Sequence, residues 1–326
     1  MNEERLIFVG RSVPEFAADV AGYLGTEVSD CTIVDFPDGE TSVKIEVNVR
    51  GRFVFVIQSM CPPVNQNLIE LLIMLDAFKR ASAWRVCAVI PYYGYARQDR
   101  KDQPRVPITA KLVAELLTTA GADRVLTMDL HAGQIQGFFD IPVDNLTAQP
   151  IFLKAIYERG LDNVTIASPD IGGVKPARHF ALALEALAAK NDKPIKTHFA
   201  VVDKQRKGAD DVQAMGIVGD VEGRDVIIVD DMVSTAGSLV EAAGYIMGES
   251  AQSVRAAITH PLLVGESVER IKNSPLEELL VTDTIPIPAE KQLDKIAVCP
   301  VTGLFAEAID AIYNNKSVSK LFTVSR

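Results

Sequence analysis

Two neighbouring carboxylates, Asp230 and Asp231, stand just ahead of Ser234-Thr235-Ala236-Gly237-Ser238, a run of small and hydroxyl-bearing residues. Hydroxyls and unhindered backbone N–H groups bind phosphate oxygens, most readily where a helix begins, because its first turn leaves N–H groups without partners. Carboxylates beside such a turn would repel the phosphate itself. They suit hydroxyls, so a sugar phosphate satisfies both halves of the stretch. An ordinary strand-to-helix connection with an Asp-rich start is the plainer reading of the same residues.

The elements that must position this chemistry can be read around it. Val226-Ile227-Ile228-Val229 is a run of β-branched residues that predicts a strand covered on both faces, with a helix starting at Leu239 or a little before. The aspartates then fall at the strand's carboxyl end, the usual ligand crevice of an open α/β sheet. Three other apolar runs lead into chemistry in the same way. Val86 to Ile90 precedes Tyr95-Ala96-Arg97-Gln98-Asp99, in which the Arg97 fork can grip phosphate oxygens bidentately. Arg124 to Met128 ends at Asp129-Leu130-His131, an imidazole beside a carboxylate. Val164 to Ala167 ends at Ser168-Pro169-Asp170 with Gly172-Gly173, an oxygen ligand for Mg²⁺ and a turn that admits pyrophosphate. Singly, these read equally as surface charge, a structural histidine and tight glycine packing. Jointly, four sites at four ends of parallel strands would converge on one cleft. Asp203 to Asp211 is too charged to pack and is expected to be a mobile loop.

The remainder alternates strand and helix. Leu6 to Gly10, Cys31 to Phe36, Phe53 to Gln58, His198 to Val202, Gly216 to Val221 and Ala256 to Thr259 read as strands, with Val43, Ile45 and Val47 marking a half-buried one. Ser12 is expected to cap a helix that has Pro14 in its first turn. Leu68, Leu71, Leu72 and Leu75 sit at helical spacing, and Thr109 to Thr119, Val174 to Ala189, Glu266 to Lys272 and Phe305 to Ile312 also read as helices. Phe36-Pro37-Asp38-Gly39-Glu40 is an exposed turn, and a second α/β unit begins near Thr147. The alternation predicts an α/β protein of two doubly wound domains with parallel sheets.

With 326 residues and 48% hydrophobic content the chain can bury two cores. A formal net charge of −10 argues against nucleic acid and anionic membrane as partners, since both demand a positive field. Cys31, Cys61, Cys87 and Cys299 show no zinc-type spacing and fit a reducing compartment. The first residues carry only a short apolar run, and no stretch reaches the length of a membrane span, so a cytoplasmic protein is expected.

The stretch around Asp230 resembles the ribose 5-phosphate loop of type I phosphoribosyltransferases and phosphoribosyl pyrophosphate (PRPP) synthetases. Ser234 stands where many members carry a third acid, and Ser238 where Thr is common. Phe36-Pro37-Asp38-Gly39-Glu40-Thr41, Tyr95-Ala96-Arg97-Gln98-Asp99, Asp129-Leu130-His131-Ala132, the run Gln134 to Asn145, Ser168-Pro169-Asp170 and Asp203-Lys204-Gln205-Arg206 extend the resemblance to ribose-phosphate pyrophosphokinases of the phosphate-activated class I type, from Phe36 to Phe322. The resemblance implies transfer of the β,γ-diphosphoryl group of ATP to the C1 hydroxyl of ribose 5-phosphate. It implies two domains that each resemble a type I phosphoribosyltransferase: residues 1–147, joined by the C-terminal segment 308–326, and residues 148–307. Phe36, Asp38, Gly39 and Glu40 would reach the nucleotide of a neighbouring subunit in a homohexamer, with Arg97 and Gln98 completing that site. His131 and Asp170 would serve Mg²⁺. Asp230, Asp231 and Ser234 to Ser238, including Thr235, Ala236 and Gly237, would hold ribose 5-phosphate together with Arg206. Lys204 and Arg206 would be catalytic, closing over the triphosphate. Arg50, Ser82, Arg105, Ser317 and Ser319 would bind activating inorganic phosphate and inhibitory ADP, with Asn48 where a serine is common.

Three other readings stay open on sequence. A phosphoribosyltransferase needs the ribose loop but no ATP site. A catalytically silent synthetase-associated subunit would typically carry insertions in the Lys204 loop, which is short here. A sugar-phosphate binding module would leave His131 and Asp170 unexplained.

Overall fold

A computed structural model describes residues 5–170, 172–191, 195–205 and 214–321, without the side chains of 203–205, 214 and 215. The chain divides into two compact units. One comprises Met1–Thr147, Thr284–Pro286 and Val301–Phe322; the other comprises Ala148–Asp283, Ile287–Pro300 and Thr323–Arg326. No helix among the described residues is long and apolar enough to cross a membrane.

The first unit runs β1 (Arg5–Val9), α1 (Pro14–Tyr23), β2 (Cys31–Asp35), β3 (Thr41–Ile45), β4 (Phe53–Ile57), α2 (Val64–Arg80), β5 (Arg85–Ile90), α3 (Thr109–Ala120), β6 (Arg124–Met128) and β7 (Val143–Leu146). Its sheet is wholly parallel in the order β1-β4-β5-β6-β7. β4 is Phe-Val-Phe-Val-Ile and buried at every position, as a strand covered on both faces requires. β2 and β3 form a separate antiparallel hairpin, from Cys31 opposite Ile45 to Asp35 opposite Thr41. Cys31, Ile33, Val43 and Ile45 pack against the unit's core, and the Phe36 ring at the tip is 52% exposed.

The second unit runs α4 (Gln149–Glu158), β8 (Asn163–Ser168), α5 (Val174–Lys190), β9 (Lys196–Gln205), β10 (Ala214–Gly219), β11 (Asp225–Val233), α6 (Gly237–Gly248), β12 (Ser253–Pro261), α7 (Ser267–Lys272), β13 (Glu278–Val281) and β14 (Ile296–Val298). The strand order is β10-β9-β8-β11-β12-β13-β14, parallel except for β10. From β8 the winding goes one way to β9 and the other way to β11. The order therefore reverses between β8 and β11, the switch point at which such sheets open a ligand crevice.

The final helix, α8 (Thr302–Tyr313), belongs whole to the first unit, so the returning segment starts at Val301 rather than at residue 308. It packs on α1, with the Phe16 and Phe305 rings edge to face at 5.3 Å.

Two local expectations are corrected. Ser12 does not cap α1, because its hydroxyl donates to Gln58 Oε1 at 2.6 Å instead. Asp203, Lys204 and Gln205 belong to β9, paired with Gly216, Met215 and Ala214 of β10. A backbone ladder does not consult the charge of the side chains it carries, so the strand extends into the polar segment.

Candidate active site

In the second unit the sequence turns sharply after β11. Ala236 has φ of 60° and lies buried under the start of α6, which has no side-chain cap on its N-terminus. The carbonyls of the turn face its supporting loops. Val233 O accepts Leu263 N–H at 3.2 Å, Ser234 O accepts Val264 N–H at 3.0 Å, and Thr235 O accepts Arg270 Nη1 at 3.2 Å. In a trans peptide the N–H of the next residue points opposite to the carbonyl. The N–H groups of Ser234, Thr235 and Ala236 therefore turn away from that support, and they join the uncapped first turn of α6 as donors for an anion. Arg270 was not legible as a site residue, because nothing in the α7 sequence signals that its guanidinium would brace a loop so far away in the chain.

Asp230 and Asp231 follow the buried run Asp225–Val229 within β11, and Asp170 follows the neighbouring strand β8. Asp230 presents its surface to solvent, yet the surrounding protein crowds it. That crowding, then the charge of Asp231 and further off that of Asp170, pushes its carboxyl far above the usual carboxylate range. The second unit thus concentrates negative charge at its switch point, next to a turn that offers donors. A cation or a set of hydroxyl donors relieves the first, and an anion satisfies the second.

Asp170 is held by the chain around it. Its Oδ1 accepts Gly173 N–H at 3.0 Å, and its carbonyl accepts the Ser168 hydroxyl at 2.5 Å. A Cβ on Gly173 would stand 2.5 Å from Ser168 Oγ, so the glycine is needed to close this turn. Tight packing is the role the structure gives Gly173.

In the first unit, the segment after β5 is braced by buried tyrosine. Tyr93 is 2% exposed and its hydroxyl donates to Ala110 O at 2.9 Å. Gly94 lies against Met60, whose Cβ would be 2.9 Å from an added Cβ. Arg97 and Gln98 emerge at the surface, and Gln98 Oε1 accepts the Thr109 hydroxyl at 2.5 Å. His131 is exposed beyond β6, where Leu130 N–H donates to Asn145 Oδ1 at 3.1 Å. Gln134 Nε2 donates to Asp99 Oδ2 at 3.0 Å, which brings the Arg97 and His131 segments together on neighbouring strands. The hairpin tip is a tight turn. Gly39 has φ of 90°, its N–H donates to Phe36 O at 2.9 Å, and Asp38 and Glu40 are exposed beside it.

Among the described residues no three His, Cys, Asp or Glu side chains stand together as a ready metal cage. The donor sets in the two units are sparse, His131 in the first and Asp170 with its acidic neighbours in the second. Sparse carboxylates fit Mg²⁺, which keeps waters and takes further oxygens from bound phosphates. The side chain of Lys204 and all of Arg206 lie outside the described residues. Of the expected effector residues, Arg50 and Ser82 lie on adjoining turns through Gly51 N–H to Ser82 O at 3.0 Å, while Arg105, Ser317 and Ser319 are on other segments of the same unit.

Comparison with known proteins places the chain in a family. Residues 5–121 match the sequence model of the N-terminal domain of ribose phosphate pyrophosphokinase, and residues 187–323 match that of the phosphoribosyl synthetase-associated domain. A ribose-phosphate pyrophosphokinase from Caldanaerobacter subterraneus subsp. tengcongensis is 54% identical over 97% of this chain and 97% of its own. The chain belongs to the ribose-phosphate pyrophosphokinase family. The Wolinella succinogenes pyrophosphokinase is 52% identical over 97% of this chain and 98% of its own. The crystal structure of phosphoribosylpyrophosphate synthetase from Mycobacterium smegmatis superposes with a TM-score of 0.89 at 39% identity, covering 96% of this chain and 100% of that one. The α/β architecture with parallel sheets read from the sequence is that of this family.

Proposed function

We propose that the chain is a ribose-phosphate diphosphokinase, moving the β,γ-diphosphoryl group of ATP to the C1 hydroxyl of ribose 5-phosphate to give PRPP and AMP. The observation that carries this is the β11–α6 turn, whose donors suit a 5-phosphate and whose adjoining Asp230 and Asp231 suit ribose hydroxyls, within a chain of this family. The C1 oxygen forms a bond to the β-phosphorus as the bond from that phosphorus to the oxygen of AMP breaks. The hydroxyl proton leaves to solvent, and AMP departs with its phosphate dianionic.

Such a transfer asks for positioning and charge neutralisation rather than covalent help. Ser234 to Ser238 anchor the sugar by its phosphate, and Asp230 and Asp231 orient its hydroxyls. Phe36, Asp38, Gly39 and Glu40 with Arg97 and Gln98 hold the nucleotide, the hairpin residues serving a neighbouring subunit of a homohexamer. Lys204 and Arg206 neutralise charge on the transferred group and exclude water. His131 and Asp170 would each serve as a ligand for Mg²⁺, which would supply charge compensation on the phosphates. Inorganic phosphate as activator and ADP as inhibitor act through Arg50, Ser82, Arg105, Ser317 and Ser319, and the protein works in the cytoplasm.

Incubation with ATP, Mg²⁺ and ribose 5-phosphate tests the activity: AMP must form only when the sugar phosphate is present. A catalytically silent synthetase-associated subunit would release none, and a phosphoribosyltransferase would consume PRPP with a base instead.

A further inference from the structure

One buried network lies outside the proposed chemistry yet ends beside it. Glu70 of α2 is a carboxylate at 0% exposure. It accepts Arg11 N–H at 2.7 Å, Arg11 Nε at 2.6 Å and Gln58 Nε2 at 2.9 Å. The far edge of the same guanidinium meets Asp35 as a fork, Nη1 to Oδ2 at 2.7 Å and Nη2 to Oδ1 at 2.9 Å. Asp35 closes β2, directly before Phe36, and its Oδ1 also accepts the Thr41 hydroxyl of β3 at 2.8 Å. One carboxylate thus ties both strands of the hairpin to Arg11. Gly10 makes room for the network, since a Cβ there would stand 2.4 Å from Gln58 Oε1 and 2.7 Å from Glu70 Oε1.

The hairpin needs such an anchor. It pairs with neither large sheet, and a lone two-stranded hairpin is marginal by itself. Its apolar inner face rests on the core, which fixes its distance but only weakly its angle, because apolar packing is non-directional. A bidentate guanidinium–carboxylate pair is directional. Anchored on a fully buried carboxylate, it cannot drift without breaking the Arg11 Nε bond to Glu70 Oε2 and leaving that buried oxygen without its cation. The Arg11 fork also holds the Asp35 carboxyl down at about 2, so the pair stays charged at any working pH.

We infer that Arg11 is a positioning residue for nucleotide binding: seated on Glu70, it clamps the β2–β3 hairpin so that Phe36, Asp38 and Glu40 are presented at a fixed angle. The inference rests on the proposed role of that hairpin at the nucleotide. Asp35→Asn and Arg11→Lys in the full-length protein test it, with Phe36→Ala as a separate arm. Asp35→Asn keeps the side-chain size and an acceptor for Thr41, while Arg11→Lys removes the fork but keeps the charge.

Amide hydrogen exchange of β2 and β3 should accelerate roughly tenfold in both clamp variants, with exchange in β4 and β5 unchanged. The KM for ATP should rise roughly three- to thirtyfold, with the KM for ribose 5-phosphate unaltered. Unchanged hairpin exchange in both variants overturns the clamp. An unchanged KM for ATP in both, alongside a raised value for Phe36→Ala, overturns its service to the nucleotide. An unchanged KM in Phe36→Ala overturns instead the reading of the hairpin as a nucleotide contact, while hydrogen exchange still decides whether Arg11 clamps it.

Discussion

Replacing Asp230 by Asn should make the metal-free, ligand-free protein more stable while removing its activity. The Asp230 carboxyl is raised from 3.8 to about 8 by the protein around it and by Asp231 and Asp170. A carboxyl whose folded pKa exceeds its unfolded one binds more protons folded than unfolded, so it favours folding at acid pH and loses that contribution as pH rises toward 8. At face value the difference is worth about 5–6 kcal/mol, at about 1.4 kcal/mol per pH unit. Asp230 is open to solvent, however, and water screens its neighbours; scaling for that leaves about 1–2 kcal/mol. Urea unfolding in the presence of a chelator, for wild type and Asp230→Asn, reads it as a shift in midpoint at constant slope. The variant should gain about 1–2 kcal/mol near neutral pH and little at a pH below the unfolded carboxylate range. Diphosphoryl transfer should fall by about 100-fold or more, because an amide cannot orient the sugar hydroxyls as a carboxylate does. A variant less stable than wild type near neutral pH would show that Asp230 is structurally paired, and that the strain assigned to the site is absent.

Lys204→Ala should lower kcat by about 100-fold or more while leaving nucleotide binding near wild type; wild-type turnover in steady-state kinetics would remove this residue from the mechanism. Arg270→Ala withdraws the brace on the Thr235 carbonyl and should raise the KM for ribose 5-phosphate about fivefold, the KM for ATP staying put, and a change in the ATP value alone would contradict it. Gly10→Ala drives a methyl into Gln58 and Glu70 and should cost about 1–3 kcal/mol in denaturant unfolding, whereas a neutral effect would mean the network yields freely.

The central strands are more legible in the sequence than the edges of the scaffold. Asp230, Asp170, Arg97 and His131 each follow an apolar run that the structure makes a buried strand, and the ends of such strands are where open α/β sheets take ligands, which is why these residues were candidates. β7, β13 and β14 escaped because strands of three or four residues carry too little pattern to separate from loops. Glu70 was hidden for a different reason. Periodicity counts apolar residues, so the spacing of Leu68 and Leu71 marks the helix while nothing in it marks Glu70 as a carboxylate buried on the same face. Ser12 had a capping residue's chemistry, but its hydroxyl found a better partner in Gln58, far along the chain. Asp203 to Gln205 looked like loop because charge was weighed and backbone pairing could not be seen. For Glu70 and Ser12 the missing information was a partner distant in sequence, Arg11 and Gln58 respectively.

Phosphorus NMR of a single reaction with ATP, Mg²⁺ and ribose 5-phosphate tests the central claim most directly. One AMP should appear for each new diphosphate ester at C1, with no ADP and no free phosphate. ADP as the matching product would mean that a single phosphoryl group is transferred, and AMP formed without the sugar phosphate would mean hydrolysis; either result contradicts the proposed reaction.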